Sequence, residues 1–75
     1  MVMPGQYVLV DPDRAVTKDC IVVIIIDGEA VLKKLVDRIE HKLFFASLNY
    51  SATSMVINYY DLIRPPIAVV GTVWN

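Results

Sequence analysis

The run Cys20-Ile21-Val22-Val23-Ile24-Ile25-Ile26, closed at once by Asp27-Gly28, constrains this chain more than any other stretch. All but its first residue are β-branched. Such side chains are stiff at χ1 and fit a pleated sheet better than a helix. Apolar and polar residues do not alternate along the run, which predicts a strand covered on both faces. Asp-Gly favours a two-residue type I′ turn, whose central residues both take positive φ. A second strand should therefore return antiparallel from Glu29. Alternation along that strand puts Val31, Lys33 and Leu35 on one face, and Leu32, Lys34 and Val36 on the other.

Turn residues divide the rest of the chain. Tyr7-Val8-Leu9-Val10 reads as a strand between Pro4-Gly5 and Asp11-Pro12-Asp13, and the polar stretch Arg14 to Asp19 as a loop. Glu29 to Leu48 admits two readings. Leu32, Leu35, Val36, Ile39 and Leu43 follow helical spacing. The alternative is two strands, Glu29 to Val36 and Ile39 to Ala46, joined at Asp37-Arg38. The Asp-Gly turn favours strands, because it needs a partner strand immediately. Asn49 to Ser54 reads as a loop and Met55 to Tyr60 as a strand. Arg64-Pro65-Pro66 interrupts structure, since neither proline can donate to a ladder. Ile67 to Trp74 closes the chain as a strand, with a bulge or close backbone contact expected at Gly71. The expected fold is one mostly β domain over residues 1–75, a compact antiparallel or mixed sheet of about five or six strands. A small α+β domain with Glu29 to Leu48 helical is the competing class.

Size then bears on function. A chain of 75 residues buries only ~60% of its unfolded surface. Hydrophobic residues make up 56% of it, more than a small monomer readily hides. Either a partner covers the excess or the chain is a piece of something longer, and both are expected. Lys and Arg total 7 against 8 Asp and Glu, for a net charge of -1. Direct DNA binding is not expected, since it needs clustered positive charge, and the pair Lys33-Lys34 is followed by Asp37 and Glu40. No apolar run approaches the ~20 residues that cross a bilayer. Met1-Val2-Met3-Pro4-Gly5 resembles no leader. Cys20 has no disulfide partner in the chain, which fits a reducing cytoplasm, and it reads as a small buried hydrophobe.

Chemistry-bearing patterns are few. His41, with Glu40 and Asp37 nearby, has poor metal-ligand spacing and reads as a surface histidine. Gly5, Gly28 and Gly71 are isolated, so no phosphate loop exists. No metal or cofactor is expected. Tyr50, Tyr59, Tyr60 and Trp74 are of the types that concentrate binding energy at interfaces.

Three segments together resemble one family. Val8-Leu9-Val10-Asp11 after Gly5 is similar to the strand that follows the cleavage-site serine in the self-cleaving domains of LexA, phage repressors and UmuD. Ile21-Val22-Val23 through Asp27-Gly28-Glu29-Ala30-Val31-Leu32-Lys33-Lys34-Leu35 resembles that family's lysine hairpin. Val69-Val70-Gly71-Thr72-Val73 looks like its closing strand. The likeness covers nearly all of the chain, with UmuD-like proteins and prophage repressors nearest. Two departures stand out: Asp19-Cys20 where the family usually has Gly-Asp, and Ala52 and Ser54 where it often has Tyr and Pro.

The resemblance implies a serine-lysine dyad that cuts the protein's own N-terminal arm in the presence of a RecA filament. The lysine maps onto Lys33. The serine maps before Met1, and Ser47, Ser51 and Ser54 lie after the lysine hairpin, on its wrong side. A lysine acting as general base must be neutral near pH 7, which burial among apolar side chains favours. Val31 and Leu35 flank Lys33 in that way, and Lys34 is the lesser candidate. The plainer reading keeps both as solvated lysines with stems laid along the sheet. A base without a nucleophile performs no acyl transfer, so the chain is expected to be inert as a protease. The resemblance further implies a cytoplasmic homodimer, with Ile67, Val69, Val70, Val73 and Trp74 at the interface. Its other implied partners are a RecA filament or a translesion polymerase subunit. The alternative is a fragment of an active autoprotease whose serine lies upstream.

Overall fold

The computed structural model describes residues 6–48 and 52–74. Pro4-Gly5 and Asn49 to Ser51, including Tyr50, lie outside them. Among the described residues six strands form one sheet: β1 (Gln6–Asp11), β2 (Ile21–Ile26), β3 (Glu29–Ile39), β4 (Lys42–Ala46), β5 (Met55–Asn58) and β6 (Ile67–Trp74). Their order across the sheet is β1-β6-β2-β3-β4-β5, and every neighbouring pair is antiparallel. The helical reading of Glu29 to Leu48 is thereby excluded. Among the described residues no helix is long and apolar enough to cross a membrane.

Three expectations need correction. The β3–β4 turn lies at Glu40-His41, not at Asp37-Arg38. A bulge opposite Phe44 and Phe45 leaves Val36 unpaired, so β3 runs on to Ile39, and Glu40 takes φ 54 to reverse the chain. The strand expected through Tyr60 ends at Asn58, whose side chain accepts the Tyr60 N–H and caps a 3-10 turn over Tyr59–Asp61. That local hydrogen bond offers the backbone an alternative to the ladder. The β-branched run is fully buried on one face only: Val22 and Ile24 are enclosed, Val23 and Ile25 half-covered, and Ile21 exposed.

One face of the sheet carries the core of Val22, Ile24, Leu35, Leu43 and Phe45. Two connections close over it. The link from β1 to β2 must pass β6, and the link from β5 to β6 must pass β4, β3 and β2. Val16 from the first link, and Tyr59 and Leu62 from the second, pack on the core cluster. Apolar residues within the links thus supply a second layer that the six strands alone lack.

Candidate functional site

The lysine hairpin is set by its turn. Asp27 and Gly28 have φ 50 and 80, as a type I′ connection requires. Pairing then runs Ile26↔Glu29, Ile24↔Val31, Val22↔Lys33 and Ile21↔Lys34. The ladder is prolonged by Leu35 N–H donating to the Cys20 carbonyl at 2.9 Å and Asp19 N–H to the Leu35 carbonyl at 2.6 Å. Directly opposed residues of an antiparallel pair leave the sheet on the same side. Lys33 therefore shares the core face with fully buried Val22, between Val31 and Leu35, and is itself half-buried. Lys34 stands between Ile21 and Ala46 on the reverse face.

A family model described as Peptidase S24-like matches residues 1–73. The chain belongs to the Peptidase S24-like family. No curated protein and no solved structure matches it. Family membership fits the LexA/UmuD likeness read from the hairpin and from both end strands.

Neither described serine of this Peptidase S24-like chain, Ser47 or Ser54, is paired with Lys33. Ser54 caps the entry to β5, its N–H and Oγ reaching the Phe45 carbonyl at 2.9 and 3.4 Å. Ser47 follows β4 directly, one residue beyond the last β3–β4 pair, Lys34↔Ala46. Among the described residues no hydrogen bond joins either serine to Lys33. Ser51 lies outside them.

The closing strand of this Peptidase S24-like chain is interior to the sheet but unevenly paired. Against β1 its ladder runs from Asp11↔Ala68 to Gln6↔Trp74, with a bulge that leaves Val70 unpaired beside Gly71. Against β2 it consists of Val22↔Ala68 and Val23↔Ile67 alone. From Val69 onward the described ladder is with β1 only, so the β1–β6 ribbon projects past the start of β2. Ile67 and Val69 are half-buried, and Val70 is 42% exposed. Val73 and Trp74 belong to β6, but their side chains fall outside the described ones.

Cys20 is half-buried rather than enclosed. Its Sγ lies 3.3 Å from Thr17 Oγ1. The Thr17 hydroxyl and backbone hold the thiol below its ordinary pKa, and the Arg14 charge acts in the same direction. His41 is exposed, its ring 4.7 Å from that of Tyr60.

One feature escaped the sequence altogether. Where the two crossing links meet over the core face they leave a groove of about 320 Å³, floored by Leu35 and Leu43. Arg14 and Val16 border it from the first link, and Tyr59, Pro65 and Pro66 from the second. Arg38 enters from β3, its guanidinium carbon 5.8 Å from the Tyr59 ring centroid. Only the bulge at Val36 brings it there, and residue spacing gives no sign of a bulge.

Proposed function

We propose that this chain is an interaction module of an SOS-response or prophage regulator, acting through pairing with a second copy. By resemblance it is either a UmuD-like polymerase accessory subunit or a repressor C-terminal domain. The observation that carries this reading is the half-paired closing strand. Among the described residues Val69 to Trp74 pair with β1 on one side and with no strand on the other. An open edge is a template for another strand.

In this reading two β6 edges meet about a twofold axis, with Ile67, Val69, Val70, Val73 and Trp74 in or beside the contact. A RecA filament or a translesion polymerase subunit would bind the pair, in a cytoplasmic setting. Sedimentation equilibrium at micromolar concentration tests it. A dimer that Val70→Lys converts to a folded monomer is expected; a parent chain that is monomeric throughout would refute it.

A second reading is favoured by the placement of Lys33 on the core face. Here the chain supplies the general base of a serine-lysine autoprotease, and the serine comes from sequence upstream of Met1. Extending the chain to include that sequence would then give self-cleavage that Lys33→Ala abolishes and Lys34→Ala spares.

A further inference from the structure

We infer that the groove between the two crossing links is a docking site for a linear peptide of a partner protein, one that carries a carboxylate beside an apolar side chain. The inference is independent of pairing through β6.

The bulge at Val36 decides the electrostatics. On an unbroken strand, Asp37 would follow Leu35 onto the core face. The bulge instead sets Asp37 against Phe44 on the reverse face and Arg38 against buried Leu43. A β-bulge re-aims the side chains that follow it. Here it removes a carboxylate from the groove and delivers a guanidinium. Arg14 arrives from a separate segment, the β1–β2 link, whose start is fixed by Arg14 N–H on the Asp11 carbonyl and Asp13 N–H on Asp11 Oδ1. No carboxylate lines the groove among the described residues. Two guanidiniums from unconnected segments thus border one concavity with no acid of its own.

The rest of the lining selects what the anion is attached to. Val16, Tyr59, Pro65 and Pro66 give the groove partly exposed apolar walls above the buried Leu35 and Leu43, which suit an aliphatic or aromatic side chain. Pro65 and Pro66 make a stiff wall without N–H donors, and the Tyr59 ring lies beneath the Arg38 guanidinium. Guanidinium is the cation best suited to a planar carboxylate. Both arginines are exposed, so the site is an open surface groove. Such a groove cannot enclose most of a free small molecule as ligand pockets do. It suits a segment that remains part of a larger partner. The apolar floor and the chain's net charge of -1 disfavour a nucleic-acid strand, which calls for a basic track.

The test is to pan the 75-residue chain against a phage-displayed random heptapeptide library, then titrate the selected peptides into labelled chain and follow amide shifts. The expected consensus has Asp or Glu beside a large apolar residue. Shifts should centre on Arg14, Val16, Arg38 and Tyr59. Replacing the peptide's acid by its amide should weaken binding about tenfold, as should Arg38→Gln. Arg14→Gln, on an exposed link, should weaken binding in the same direction and serves if the Arg38 variant fails to fold. The proposal is overturned if no peptide is enriched, if the consensus lacks an acid, or if the shifts fall elsewhere. Equal binding by a folded arginine variant, or displacement of the peptide by oligothymidylate with the same footprint, would also overturn it.

Discussion

Val22 and Lys33 stand directly opposite each other across the β2–β3 ladder, so the lysine leaves the sheet beside a valine that solvent does not reach. Half-buried on that face, its stem is placed to shelter Val22. Packing and charge make separate demands there. Lys33→Met keeps the stem and drops the charge, and should leave stability within about 0.5 kcal/mol of the parent. Lys33→Ala should cost about 1 kcal/mol through lost apolar cover. Urea unfolding of the two variants measures the difference.

Among the described residues Phe45 is the largest side chain with no exposed surface, and it pairs with Leu35 on β3 and Met55 on β5. Phe45→Ala should cost about 3–5 kcal/mol. In a chain this small that approaches the whole folding free energy. The expected result is loss of the cooperative urea transition.

Gly28 and Gly71 should respond differently to alanine. Gly28 has φ +80, and a Cβ there would meet nothing within 4 Å. The penalty is then purely one of backbone conformation, about 1 kcal/mol. At Gly71 a Cβ would meet Leu9 Cδ1 at 3.6 Å, an ordinary contact, and φ is not positive. Gly71→Ala should be neutral or slightly stabilising. Thermal unfolding of the pair separates the two cases.

Cys20 gives the chain a pH response. The Thr17 hydrogen bonds lower its pKa in the fold. Between the folded and unfolded pKa values the native state has lost a proton that the unfolded state still holds. Stability therefore rises with pH through that interval, is fully present above the unfolded thiol pKa, and vanishes below the folded one. Iodoacetamide alkylation of the folded chain should show a midpoint below that of the unfolded chain, and Thr17→Val should move the midpoint upward.

What the sequence revealed follows the range of the interactions involved. The Asp27-Gly28 turn is chemistry between neighbours, so the hairpin, its register and the face taken by Lys33 could all be read from residue types. The β1 and β6 spans were also legible, because Asp11-Pro12 and Pro65-Pro66 bound them. The position of the β3–β4 turn was not. Asp37-Arg38 and Glu40-His41 are similar in composition, and the choice depended on a bulge imposed by pairing with β4. Tyr59 and Tyr60 have strand-forming side chains, yet Asn58 caps a 3-10 turn there. The Arg14–Arg38 groove arises where two links cross the same face, a relation between segments far apart in sequence.

Pairing through β6 is tested most directly by amide hydrogen exchange at Val69 to Trp74 as a function of chain concentration. Alternate amides along this stretch face away from β1, and a second copy would cover them. They should exchange quickly in dilute solution and become protected as concentration rises into the micromolar range, while amides of the β2–β3 ladder stay unchanged. Exchange at those positions that is the same at every concentration would contradict the edge-to-edge pair.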